Sequence, residues 1–345
     1  MTGRESSTKV LVTGATGFIG THVVEQLLAR GYHVRGTVRN IEKATAEGIL
    51  TNLPGAERLE LVAADLLDAA SFQDAVMDCD FVLHVASPYV LDVKDPQTDL
   101  VDPAIQGTIA VLRSCMESPA VRRVVVTSSF AAMVDSPNGT LTEESWNEGS
   151  SLKQNPYAFS KTMAERAAWS FMEGNETHFD LVVVNASGVV GPEHASRVNT
   201  TNRFIADMTS MKSPFVLDLP VAVVDVRDVA NAHIAAMETE DASGRYLCGA
   251  WSTNFVQIVD QLSKEFPDTT WPKLRLEGPI GTRVMRILSY TQPSGMGTFL
   301  RSYLGKEIVF DNSKIKRDLG ITFRPLSETL GDTVRDMIAS GKIKS

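Results

Sequence analysis

Cysteine is scarce: three in 345 residues, an odd and sparse set that supplies no disulfide framework. Cys79, Cys115 and Cys248 also lack metal-ligand spacing, so all three are expected to be reduced and mostly buried. Positive charge is in deficit, with 33 lysines and arginines against 42 aspartates and glutamates and a formal net charge of −9. Nucleic acids and anionic membranes need accumulated basic residues, so this balance argues against both and leaves a small diffusible substrate as the expectation. No uninterrupted apolar run reaches the length of a membrane span. The polar opening "MTGRESST" has no apolar signal region, which makes a cytoplasmic protein the expectation. Internal repeats and biased tracts are missing as well. No histidine and carboxylate set carries ligand spacing, so no metal is expected.

What is present is the composition of an ordinary globular protein, 43% hydrophobic and 22% charged. Six apolar runs of buried-strand type, "KVLVTG" (9–14), "HVRGTV" (33–38), "LELVAA" (59–64), "FVLHVA" (81–86), "RVVVTSS" (123–129) and "FDLVVVN" (179–185), alternate with helix-patterned segments. That rhythm predicts an α/β fold, a Rossmann-type doubly wound parallel sheet with a smaller C-terminal substrate-binding subdomain. Helices are expected over 18–30, closed by Gly31, and over 156–173, opened by Asn155 and Pro156. After about residue 190 the pattern loosens, and "EFPDTTWPKLRLEGPIGTRV" is loop-like with three prolines. The expected division is residues 1–188 as a nucleotide-binding domain, with segments of about 220–250 ("AVVDV" and "GRYLCGA") returning to it. Residues 189–219 and 251–345 form the discontinuous substrate side. A monomer and a homodimer are both compatible with the sequence.

The turn Gly14-Ala15-Thr16-Gly17-Phe18-Ile19-Gly20 spaces glycines by three between a strand and an amphipathic helix. There the chain must bend tightly, approach a pyrophosphate closely and pack a helix on a strand. An NAD site ends its second strand with a carboxylate for the adenosine ribose hydroxyls; this strand ends "GTVRN". Arg39 offers a guanidinium fork suited to a 2′-phosphate, with Lys43 as a second charge, which predicts NADPH. Asp65 and Leu66, ending the third strand, are placed to meet the adenine edge or, for Asp65, to cap the next helix.

Tyr157 and Lys161 of "YAFSK" stand four apart, on one face of a helix. A phenol with a pKa of about 10 is a poor acid or base near neutrality, but a neighbouring ammonium favours the phenolate. Ser128 and Ser129 follow the fifth strand at the sheet's carboxyl edge, where ligands bind. Ser129 is the candidate to hold a substrate carbonyl oxygen, and Ser128 is expected to hydrogen-bond the backbone at the strand end.

These pieces, with "VTGATGFIG", "VLHVASP", "RRVVVTSSFAAMVD", "LTEESWN", "YAFSKTMAE", "VVGP", "VVDVRDVANAH" and "ITFRPLSETLGDT", resemble the extended short-chain dehydrogenases/reductases. Within them the chain is similar to the dihydroflavonol-reductase-like group and to the fungal NADPH-dependent methylglyoxal reductases and related aldehyde or ketone reductases. The resemblance implies hydride transfer from NADPH to an aldehyde or ketone, with Tyr157 as proton donor, Lys161 as its modulator and Ser129 as carbonyl anchor. It also implies that Ala86, Ser87, Thr127, Ala186, Gly188 and Val189 line the cofactor channel. The chain departs from the usual "NPxYVFGP" pattern at "NASGVVGP", where Ala186 replaces proline and Gly188 a bulky residue, and a roomier pocket is expected. Tyr89 and Phe130 are either pocket walls or ordinary core or loop aromatics.

Other features read as architecture. His84 and His233 are expected to be packing histidines, and Asp225, Arg227 and Asp228 a local helix cap and its pairs. Met208, Met211, Phe204 and Phe215 fit a cleft lining or a core equally. Two alternatives to a carbonyl reductase remain at this point: an NAD-retaining epimerase or dehydratase of the same superfamily, and a non-catalytic nucleotide-sensing module.

Overall fold

The computed structural model describes residues 8–88, 94–194, 198–210, 215–291 and 294–344. Seven strands form one parallel sheet: β1 (Lys9–Thr13), β2 (His33–Val38), β3 (Leu59–Ala63), β4 (Phe81–His84), β5 (Arg123–Ser129), β7 (Asp180–Ala186) and β11 (Gly244–Cys248), in the order β11-β7-β5-β4-β1-β2-β3. The strand order reverses between β1 and β4, which opens a crevice at their carboxyl ends. Both faces of the sheet are buried, which explains the continuous apolar runs. Along β1, Val10 and Val12 enter one core with Val24 and Leu27, while Leu11 points into the other with Phe72 and Leu112.

The first core is covered by α1 (Phe18–Ala29) and α7 (Val226–Glu238), and the second by α3 (Ser71–Val76), α4 (Asp102–Glu117) and α5 (Pro156–Gly174). The two predicted helices are present within a residue of their expected ends. Gly31 ends the first at φ 84°, and the Asn155 side chain caps the second by accepting from the Ala158 N–H at 3.3 Å. A short helix α2 (Ile41–Glu47) follows β2.

The two segments expected to return to the nucleotide-binding domain pair differently. β11 pairs with β7, but β10 (Pro220–Asp225) lies in a separate three-stranded sheet, parallel to β8 (Gly188–Val190) and antiparallel to β12 (Trp251–Asn254). Two small parallel pairs, β6 (Thr140–Leu141) with β14 (Val309–Phe310) and β9 (Phe215–Leu217) with β13 (Leu274–Leu276), tie distant segments together.

Beyond residue 190 the chain is more helical than its prolines suggest, with α6 (Thr200–Thr209), α8 (Phe255–Glu265), α9 (Gly278–Leu288), α10 (Ser294–Tyr303), α11 (Ser313–Leu319) and α12 (Leu326–Ala339). Pro279 stands in the first turn of α9, where its missing N–H costs nothing. Helices α6, α8 and α12 share a core that contains Ile205, Met208, Val259 and Leu330, so Met208 is a packing residue. Met211 lies outside the described residues. Among the described residues, no helix is long and apolar enough to cross a membrane.

Candidate active site

A cleft of about 910 Å³ occupies the crevice at the sheet's carboxyl edge. At its floor Gly14 has φ 67°, a conformation that costs glycine nothing, and a Cβ there would stand 3.1 Å from the Ala86 Cα. A Cβ at Gly20 would fall 2.2 Å from the Gly14 carbonyl oxygen, so α1 can press against the turn only with glycine at that position. The Gly14 N–H donates to the Thr37 hydroxyl at 3.1 Å, which holds the turn against β2. No side chain caps α1, and Thr16, Gly17, Phe18, Ile19 and Gly20 all line the cleft. The positive end of the helix therefore faces the cleft, a placement suited to an anion.

Arg39 lines the same cleft, is exposed and has no ion-pair partner among the described residues. Lys43 does not line it: its side chain is 64% exposed and its Nζ lies 4.0 Å from Glu47, one turn along α2. Of the two charges expected at this end, Arg39 is the one that lines the cleft. Asp65 and Leu66 do line the cleft, and Asp65 accepts from the Leu67 N–H at 3.0 Å as a local turn. It does not cap α3, which begins at Ser71.

Ser129, Tyr157 and Lys161 meet in this cleft with Ala86, Ser87 and Thr127. The Lys161 Nζ is 5.7 Å from the centre of the Tyr157 ring and donates to the Ser87 Oγ at 2.6 Å. Burial disfavours its charge and draws its pKa from 10.5 to about 8. The Ser129 Oγ accepts from the Ala131 N–H at 3.1 Å, an acceptor role that leaves its own proton to donate into the cleft.

Ser128 does not bond the backbone as expected; its hydroxyl donates to the buried carboxylate of Glu165. Glu165 continues the Tyr157–Lys161 face of α5. It also accepts from the Asn185 Nδ2 at 2.7 Å and pairs with the Arg245 Nε at 2.6 Å, which ties the helix to β5, β7 and β11. His84 and His233 are buried and serve the scaffold, and burial pushes both pKa values down to about 4. The His233 Nδ1–H donates to the Val229 carbonyl at 2.7 Å, so its Nε2 accepts from the Thr127 hydroxyl at 2.6 Å. His84 meets the Thr13 hydroxyl at 2.8 Å, and that hydroxyl accepts from the Ala86 N–H at 3.0 Å. Asp225 caps α7 and pairs with Arg227 as expected, but Asp228 bonds Arg324, 96 residues away.

Ala186, Gly188 and Val189 line the cleft, and Phe130 does so while packing edge-on against Phe310 at 5.4 Å. Tyr89 lies outside the described residues. Gly188 has a packing reason of its own, since a Cβ there would meet the Ala222 carbonyl oxygen at 2.9 Å. The sequence reading missed Ser187, whose buried Oγ has no hydrogen-bond partner among the described residues and which lines the cleft between two predicted residues. It also missed Asn199, Thr200 and Thr201 at the start of α6, which line the cleft. Neither group carries a motif; Ser187 alone was signalled by its place in the "NASG" departure. Though no histidine and carboxylate set carries ligand spacing in the sequence, the fold gathers His22, Glu25 and His194, with one ligand atom of each within 4.8 Å of the others.

The sequence matches the NAD dependent epimerase/dehydratase family over residues 10–249. It is 39% identical to cinnamoyl-CoA reductase 1 of Petunia hybrida over 341 residues, covering 97% of this chain and 93% of that protein. It is 35% identical to tetraketide alpha-pyrone reductase 1 of Arabidopsis thaliana, covering 98% of this chain and 97% of the relative. The fold superposes on yeast methylglyoxal/isovaleraldehyde reductase Gre2, solved with NADPH, at a TM-score of 0.79 and 30% identity, covering 97% of this chain and all of that one. The chain therefore belongs to the NAD-dependent epimerase/dehydratase family, as an oxidoreductase of the extended short-chain dehydrogenase/reductase type.

Proposed function

We propose that this protein is an NADPH-dependent carbonyl reductase that converts aldehydes or ketones, bulky aryl ketones among them, into alcohols. The observation that carries the reading is the Lys161 ammonium held between the Tyr157 ring and the Ser87 Oγ, in the cleft that Ser129 also lines. Arg39 supports the choice of coenzyme, because an unpaired guanidinium suits a phosphate dianion and the strand end offers no carboxylate to a ribose. The residues fit a dinucleotide: the glycine turn and uncapped α1 would hold the pyrophosphate, and the orphaned Ser187 Oγ would meet the nicotinamide end. The solved yeast relative holds NADPH.

When bound, the coenzyme supplies a hydride to the carbonyl carbon. Ser129 donates its hydroxyl proton as a hydrogen bond to the carbonyl oxygen and fixes it beside Tyr157. Tyr157 gives its phenolic proton to that oxygen as negative charge develops there, and the resulting phenolate regains a proton from solvent. Lys161 stabilises the phenolate; with a pKa of about 8 it is about nine-tenths ammonium at pH 7. The prediction is that Tyr157→Phe lowers ketone-dependent NADPH consumption by about 10²- to 10⁴-fold while NADPH still binds. Wild-type turnover in the Phe variant would remove Tyr157 from the reaction.

A further inference from the structure

The side chains of His22, Glu25 and His194 lie outside the catalytic constellation, and the reductase reading gives them no task. His22 and Glu25 stand one turn apart on α1, while His194 comes from the segment between β8 and α6. His22 is 2% exposed. Its Nε2 lies 2.9 Å from the Pro192 carbonyl oxygen, which can only accept, so the ring proton sits on Nε2 and the Nδ1 presents a bare lone pair. That Nδ1 is buried and has no hydrogen-bond partner among the described residues. It faces the Glu25 Oε2 at 3.5 Å, and the same oxygen lies 3.1 Å from the His194 Nε2.

We propose that His22 Nδ1, Glu25 Oε2 and His194 Nε2 form a binding site for a divalent zinc-like cation. Two imidazoles and a carboxylate are the ligand chemistry such an ion prefers, with water completing a tetrahedron. Ligand atoms at ordinary zinc distances around a tetrahedral ion stand about 3.4 Å apart, close to the two separations here. The Pro192 carbonyl supplies the outer partner that fixes the tautomer and orientation of a metal-bound histidine. Without a cation, the buried Nδ1 of His22 faces the half-exposed Glu25 carboxylate oxygen that His194 also meets, an arrangement that a positive ion shared by all three completes. Glu25 and His194, with side chains 38% and 33% exposed, give the ion a route in from solvent.

Such an ion joins two parts of the cleft wall. Helix α1 carries the glycine turn at its start, and Asn199, Thr200 and Thr201, which also line the cleft, follow His194 in the chain. The site is therefore a structural staple between α1, which carries the glycine turn, and the chain at His194.

Untagged, chelator-stripped protein titrated with zinc chloride in a calorimeter tests this. The expected result is one ion per chain and a melting temperature raised by about 5 °C at a hundredfold excess over the dissociation constant. His194→Ala, at a partly exposed position that leaves the core intact, is expected to weaken binding more than about 100-fold, beyond the cost of losing an outer partner. His33→Ala, at an exposed histidine on β2, is expected to change nothing. X-ray absorption at the zinc edge is expected to show two imidazole nitrogens. The proposal is overturned by the lack of a stoichiometric site, by unchanged affinity in His194→Ala, or by sulfur in the first shell, which would place the ion on a cysteine.

Discussion

Replacing Glu165 by glutamine removes one charge from the buried knot beneath the catalytic helix and leaves the volume unchanged. The carboxylate is 1% exposed and faces the Arg245 Nε at 2.6 Å, while Arg245 itself is 7% exposed. Ser128 and Asn185 donate to the same carboxylate, so an amide in its place turns an NH₂ group toward donors. Removing one partner of a buried ion pair costs about 3–5 kcal/mol, because the other charge stays desolvated. For a chain of this length about 2 °C is lost per kcal/mol, which gives a fall in melting temperature of about 6–10 °C. The damage extends to chemistry, because Tyr157, Lys161 and Glu165 share one face of α5 and a misplacement of about 1 Å costs up to 10²-fold in rate. Thermal melts followed by circular dichroism give the first quantity, and NADPH consumption at 20 °C, well below the transition, gives the second. A variant that melts within 2 °C of the wild type and turns over at the same rate would refute the argument that this knot positions the helix.

Arg39→Ala should weaken NADPH binding by about 10- to 100-fold and leave NADH binding unchanged, whereas Lys43→Ala, at a solvated position paired with Glu47, should alter neither; fluorescence titration of each variant with both coenzymes decides it. Gly188→Tyr should lower the melting temperature through the clash with the Ala222 carbonyl oxygen and slow turnover of bulky aryl ketones; unchanged rates on those ketones would dispose of the roomy-pocket idea. His84 and His233, with native pKa values of about 4 against 6.5, stay neutral in the folded state while the unfolded chain takes up protons. Stability should thus be complete above pH 6.5 and fall towards pH 4 by up to about 1.4 kcal/mol per unit for each histidine; urea melts across that range would show a flat profile if the two rings were not buried neutral.

The architecture was legible because strands of a sheet covered on both faces are predominantly apolar, and six such runs stand in the sequence with only scattered polar residues such as Arg35 and Glu60. The turn, the tyrosine and lysine pair and Ser129 were legible for a related reason: their geometry is set within a few residues of chain. What escaped was settled across the fold. Glu165 reads as a routine helix glutamate until Arg245 arrives from β11, 80 positions later. β10 has the continuous apolar run of a main-sheet strand, but its partners are β8 and β12, and pairing choice leaves no local mark. Lys43 stands outside the cleft lining, and its Nζ lies 4.0 Å from a carboxylate four residues along its own helix, a neighbour that the strand-end pattern leaves out. His194 and His22 lie 172 positions apart, beyond the reach of any spacing rule.

The placement of β11 also bears on how the protein is made. Residues 244–248 add the last rung beside β7, in register with residues 182–186. A nascent chain that has left the ribosome only as far as residue 219 carries six of the seven strands and ends in a bare, apolar edge. It also lacks α7, which covers the same face as α1. Such an intermediate is prone to sticking to its neighbours, and an isolated amino-terminal half offers a poor receptacle for nucleotide. Fragments cut near residue 219 should need their carboxyl-terminal counterpart, supplied in trans, to become soluble.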